Sequence, residues 1–239
     1  MILDEWLGVF ECCFYIYIIA LIISSIRIQA AFRGKSSMTN ERTLLLVLGV
    51  TYVVFLAWYD GWWMSPLTDS EVDAYLANLH DDSDFGEVEE QIRQLGISDD
   101  GAEMFMMNLN IYKGNAGEEP TTNEDYQTYG RGVFPLLLSR ASHPIYYSQG
   151  IQTLMSPRYE EHWQEVFLVR YRSRRDFISM ITSDAYQEVL PYRTIGIKYD
   201  EFFPTRAVFN ISSPRFIILF ILAAVYALAV LVMRRLTNR

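Results

Sequence analysis

Phe216-Ile-Ile-Leu-Phe-Ile-Leu-Ala-Ala-Val-Tyr-Ala-Leu-Ala-Val-Leu-Val-Met233 is an unbroken apolar run of 18 residues, followed at once by Arg234 and Arg235. At about 1.5 Å per residue, a helix of this length crosses most of the roughly 30 Å hydrocarbon core of a bilayer. Two further runs of the same kind precede it, at about Leu7 to Ile26 and about Thr43 to Tyr59. One such run could be the core helix of a soluble protein. Three, each ended by charges or interfacial aromatics, predict an integral membrane protein with three transmembrane helices.

The basic residues give these spans a direction. Arg27, Arg33, Lys35 and Arg42 lie between the first two spans against the single acid Glu41, and Arg234, Arg235 and Arg239 follow the third with no acid. Short basic segments stay in the cytoplasm. Asp60 to Pro214, by contrast, holds 25 acids and 12 bases, a net charge of −13. Both observations agree with one path: N-terminus out, first loop in, large acidic domain out, C-terminus in. The location expected is a bacterial inner membrane. Trp58, Tyr59, Trp62 and Trp63 then form an aromatic belt at the outer interface, where amphipathic rings sit best. The chain starts Met1-Ile-Leu-Asp-Glu-Trp6, acidic where a secretory leader is basic, so the first span is expected to remain in place. Glu11 lies about one turn into it, shallow enough to reach the headgroups.

Chemistry is sparse. The two cysteines, Cys12 and Cys13, are neighbours in an apolar segment, point about 100° apart on a helix, and read as small span residues. His80, His143 and His162 share no metal-binding or haem-binding spacing, and no nucleophile elbow or phosphate-binding glycine loop occurs. No cofactor or metal is expected. His80-Asp-Asp-Ser-Asp84 is an acidic turn without the glycine and terminal glutamate of a calcium loop. The cluster Arg170, Arg172, Arg174 and Arg175 suits an anionic headgroup, an acidic partner or a solvated turn, whereas net −13 outside the cytoplasm argues against nucleic acid. Asn210-Ile-Ser212 matches a glycosylation acceptor, which matters only on a eukaryotic secretory route.

Between the spans, residues 64–102 read as a helical connector, with apolar stripes at Val72, Tyr75, Leu76 and Leu79 and at Val88, Ile92 and Leu95, and a cap at Asp69 or Ser70. Residues 103–204 read as an α+β domain. Glu103 to Tyr112 is a strand; Thr122 to Ser139 a helix capped by Thr122 or Asn123; Pro144 to Met155 and His162 to Tyr171 two strands; Ser173 to Tyr186 a helix; Arg193 to Phe203 the last strand. Residues 205–239 carry the third span and a basic tail. The order β-α-β-β-α-β predicts the ferredoxin-like, split β-α-β arrangement.

Several stretches together resemble a domain-of-unknown-function family of the dimeric α+β barrel superfamily: Met106-Met-Asn-Leu-Asn-Ile-Tyr112, Tyr126-x-x-Tyr129-Gly with Pro135, Trp163-x-x-Val166-Phe-Leu-Val-Arg-Tyr-Arg-Ser173, Phe177-x-x-Met180, Ser183-x-x-Tyr186-Gln187 and Pro191-Tyr-Arg193. The resemblance spans about Glu103 to Phe203. It implies a helix-covered sheet that pairs with a second sheet through a two-fold interface, and a superfamily that also holds small monooxygenases, haem-degrading enzymes and dehalogenating relatives with a pocket between sheet and helices. The family's soluble members lack spans. Such a fold does not name a reaction.

If there is a pocket, its polar lining is expected from Asn108, Tyr129, Arg170 and Arg193; otherwise Arg170 and Arg193 pair with acids such as Glu165 or Glu188, and Tyr129 is a core residue with a hydrogen-bonded hydroxyl. The function expected is a non-catalytic accessory or scaffold subunit of a membrane complex, its partners being the lipid bilayer, other membrane subunits or a second copy. The alternative is a membrane-tethered enzyme of the cofactor-free monooxygenase type.

Overall fold

The computed structural model describes residues 37–79, 85–113, 123–152, 154–155, 163–208, 210 and 213–237. The expected first span with Glu11, Cys12 and Cys13, the acidic turn from His80, His162, and Ile211 and Ser212 of the glycosylation acceptor lie outside the described residues. The chain divides into two compact units, Met1–Leu56 with Ile211–Arg239, and Ala57–Asn210.

The first unit contains most of helix α1 (Ser37–Asp60) and a C-terminal apolar helix (Pro214–Thr237). The two run antiparallel. Glu41, near the start of α1, takes the Nε and one terminal nitrogen of Arg234 at 3.0 Å each, and further along the Tyr52 hydroxyl donates to the Arg215 carbonyl at 3.1 Å. Both helices are long and apolar enough to cross a membrane. A helix in the core of a soluble protein hides its apolar side chains, but Leu45, Leu46, Val54, Phe220, Leu228 and Leu231 all stand exposed.

In the second unit, helix α2 (Asp69–Leu76) begins at a capping box in which Thr68 accepts from the Glu71 amide and Glu71 returns a bond to the Thr68 amide. The cap is therefore Thr68 and not Asp69 or Ser70. After a short 3₁₀ turn at Gly86–Val88 comes α3 (Glu89–Ile97). Strand β1 (Met104–Tyr112) leads to α4 (Glu124–Ser139), where the Asn123 side chain accepts from the Tyr126 amide. Strands β2 (His143–Gln149) and β3 (Glu165–Tyr171) follow, then α5 (Arg174–Ile181) capped by Ser173, α6 (Asp184–Gly196), β4 (Ile197–Thr205) and α7, the C-terminal helix already described.

The four strands form one antiparallel sheet in the order β2-β3-β1-β4. Strands β1 and β2 are both antiparallel to β3 and so parallel to each other, with β3 inserted between them. This is the split β-α-β arrangement. Two expectations need correction. The second and third strands are shorter than expected, and Arg193 is not on a strand but in the last turn of α6, an additional helix. Pro191 lies inside α6 and Pro135 inside α4. An interior proline costs a helix about 3 kcal/mol, and here burial opposes that cost: Tyr186 and Leu190 of α6 are buried with Val133 and Leu137 of α4.

The helices cover one face of the sheet. Met104 and Met106 of β1, Val169 and Tyr171 of β3 and Phe202 of β4 pack there with Phe177, Ile178, Met180 and Ile181. Leu67, Val72, Leu76, Phe85 and Ile92 belong to the same core. The expected connector, residues 64–102, is thus part of the α+β unit and supplies a share of its interior.

Candidate functional site

The register decides which candidate residues meet. Along a strand successive side chains alternate between faces. On β1, Met104 and Met106 face the helices, which places Asn108, Asn110 and Tyr112 on that side too. Asn108 sits opposite Phe167 and Phe202, and its side-chain nitrogen donates to the Met106 carbonyl at 3.1 Å. Tyr129 comes from α4, its hydroxyl 3.0 Å from that of Tyr186. Arg193 reaches in from α6, pairs with Asp200 of β4 and lies 5.7 Å from the Phe202 ring centre. These three candidates share the helix-covered side of the sheet.

Arg170 is on the other side. It stands opposite Phe105 on β1 and His143 on β2, and is 1% exposed. Its guanidinium donates to Glu103 at 2.7 Å, to the Ala141 carbonyl at 2.8 Å and to the Tyr59 carbonyl at 3.1 Å, and lies 3.7 Å from the Tyr59 ring centre. Ala141 has φ +52°, an uncommon conformation for a residue with a side chain. Asp60 is a further 3.8 Å ion-pair partner. Tyr59 is itself buried and its hydroxyl meets His143 Nε2 at 2.8 Å, while Trp58, Trp62 and Trp63 are exposed. Of the four expected belt residues, Tyr59 is committed to the sheet.

The arginine cluster resolves the same way. Arg172 makes a two-pronged pair with Asp176 at 2.7 and 2.8 Å, Arg174 pairs with Asp100 at 3.7 Å, and Arg175 grips Glu71 at 2.7 and 3.0 Å. Every arginine of the run has an acid, so the cluster is a set of internal staples and not an open basic patch. The Arg175 guanidinium, with the bonds from Thr68, holds the Glu71 carboxyl down to about 2.

Sequence reasoning missed a buried carboxyl. Glu165, offered above as a surface acid for an arginine, is 3% exposed. The Tyr147 hydroxyl donates to one of its oxygens at 2.7 Å and the Tyr112 hydroxyl to the other. Asn110 donates to the hydroxyl oxygens of both Tyr112 and Tyr126, at 3.3 and 3.1 Å. Rings of Tyr112, Tyr126, Tyr129 and Tyr186 follow one another at centroid spacings of 4.7, 5.5 and 6.1 Å. Burial raises the pKa of all four phenols and of Glu165. Burial alone would lower the pKa of Arg193, but Tyr129, Tyr186, Asp200 and Tyr126 around it raise it overall. The parity of Glu165 with Phe167, Val169 and Tyr171 in Glu-Val-Phe-Leu-Val-Arg-Tyr was the available signal for its inward position.

The outer face of the sheet is built differently. Beyond the row His143, Arg170, Phe105 and Thr205, which Tyr59 joins, come Tyr146, Leu168, Met107 and Phe203, then Ser148, Val166, Leu109 and Glu201. Tyr146 is 54% and Phe203 44% exposed, and the residues between them are partly exposed.

The chain matches no family model and no curated protein. Among solved structures it is similar to a protein of unknown function from Rhodopseudomonas palustris, at 26% identity and a TM-score of 0.45 over 52% of this chain and 94% of that one. It is also similar to a dabb family protein with a ferredoxin-like fold from Mesorhizobium loti (8% identity, TM-score 0.31, 45% of this chain and 98% of that one). A third is a cofactor-independent oxygenase from Streptomyces nogalater (12%, 0.32, 47% and 99%).

Proposed function

We propose that this chain is a non-catalytic accessory or scaffold subunit of a membrane protein complex. Three transmembrane helices hold it in a bacterial inner membrane, and its α+β unit, outside the cytoplasm, meets a second copy or another subunit through the open face of its sheet. The observation that carries this reading is the contrast between the two faces. On the helix side the side chains pack on one another, and among the described residues no buried side-chain polar atom lacks a hydrogen bond. The outer face presents Tyr146, Leu168, Met107, Phe203, Val166 and Leu109 as a contiguous, partly exposed apolar surface. Patches of that kind are typical of protein contacts. The basic loop, the basic tail and the acidic domain support the orientation.

Gentle detergent extraction of the tagged chain from its own membrane, followed by native mass spectrometry, tests the proposal. A stable assembly with other subunits supports the accessory role. A bare monomer overturns it, and a small molecule retained by the chain favours the enzyme reading instead. A reporter fused after Arg239 that is active only outside the cytoplasm would overturn the orientation.

A further inference from the structure

Two acids are buried among the described residues, Asp176 and Glu165. Asp176 is answered by the Arg172 guanidinium. Glu165 meets no cation among the described residues; its two oxygens meet only phenol hydroxyls, Tyr112 from β1 and Tyr147 from β2. Since Glu165 opens β3, its carboxyl joins three neighbouring strands at one point. That point lies at the opposite end of the sheet from Arg170, which holds Tyr59, and from Thr205, which pairs with Phe105.

We propose that Glu165 is a proton-linked clasp, which holds the ends of β1, β2 and β3 together when its carboxyl carries a proton and loosens them when it is ionised.

The groups around it define how this works. From β1 come Tyr112 and Asn110, from β2 Tyr147, and from α4 Tyr126; Arg193 of α6, with Asp200 of β4, acts on the more distant phenols. The Tyr112 oxygen already accepts from Asn110 while its proton goes to Glu165. Loss of the carboxylic proton leaves a negative charge in a buried site with two neutral donors and, among the described residues, no cation, which burial penalises. Burial raises the carboxyl's pKa, and the bonds from Tyr112 and Tyr147 only partly offset the rise. A folded state that holds its proton more tightly than the unfolded state is stabilised below the unfolded value, 4.5, and loses that contribution as pH rises through the folded value. The clasp is independent of whatever docks on the outer face.

The test is thermal unfolding of the full chain in detergent, from pH 4.5 upward, for the native protein, Glu165→Gln and Tyr147→Phe. The amide keeps the shape without the charge. The melting temperature of the native chain minus that of Glu165→Gln should fall as pH rises. The Tyr147 bond lowers the carboxyl's pKa, so Tyr147→Phe should move the falling limb to higher pH. The second variant keeps the test open if Glu165→Gln does not fold. A difference curve that stays flat, or a Tyr147→Phe limb that stays in place or moves to lower pH, overturns the proposal.

Discussion

Arg170→Ala is expected to be the most destabilising single change in the α+β unit. The guanidinium is 1% exposed and makes one ion pair at 2.7 Å, two bonds to backbone carbonyls and a stacked contact with the Tyr59 ring. Its loss leaves the Ala141 and Tyr59 carbonyls without their described side-chain donor and Glu103 without its arginine. Removing one member of a buried pair costs about 3–5 kcal/mol, because the remaining groups keep their desolvation cost. For a unit of this size each kcal/mol lowers the melting temperature by about 2–4 °C, so the drop should be on the order of 10 °C. Arg170→Lys keeps the charge but cannot reach three acceptors in a fork, and should fall between the two. Chemical unfolding in detergent, followed by near-ultraviolet circular dichroism, reads the change. A loss under about 1 kcal/mol for the alanine variant, the range of a surface pair, would refute the keystone role of Arg170.

Three other outcomes are expected. Gly132→Ala puts a Cβ 2.5 Å from Val189 Cγ1 where α4 meets α6, an overlap that should cost about 1–3 kcal/mol in the same unfolding assay. Leu168→Glu, on the outer face, should leave the melting temperature within a few degrees (each kcal/mol being worth about 2–4 °C) yet release the chain from the proposed assembly in native mass spectrometry. Glu71 is held at about 2 against 4.5 in the unfolded chain, so its contribution is present above 4.5 and lost as pH falls towards 2. Arg175→Met should flatten that acid limb, measured as melting temperature against pH.

Much of this fold is written in local patterns. The strand expected at Glu103 to Tyr112 and the helix expected at Thr122 to Ser139 differ from β1 and α4 only at their first residues, because a short, largely apolar run ended by Lys113-Gly114 and the Asn123 cap are read within a few positions. Helix α6 was not legible. Pro191 breaks its local pattern, and what restores the helix is the packing of Tyr186 and Leu190 in the core, a long-range effect. The candidate site divides along the same line. Residue types at Asn108, Tyr129, Arg170 and Arg193 suggested one polar group, but only strand register separates Arg170 from the others, and register is a property of pairs of strands. Glu165 was misread because a carboxylate is ordinarily exposed, and nothing within its own strand announces that Tyr112 and Tyr147 wait on the two flanking strands.

The arginine staples set the order in which this domain can be completed while it is being made. Leu67, Val72, Leu76 and Ile92 leave the ribosome first, yet the partners that bury them, Phe177, Ile178, Met180 and Ile181, and the arginines that tie their segment down, Arg174 and Arg175, come much later in the chain. At about 5–20 residues per second the early apolar residues wait on the order of ten seconds for those partners. On the proposed orientation, a nascent chain threaded across a membrane during that interval carries an amphipathic, uncovered segment. Holding factors on the side of the membrane where the unit is proposed to lie would have their natural substrate there, between α1 and β1, and the requirement would end when Arg175 reaches Glu71.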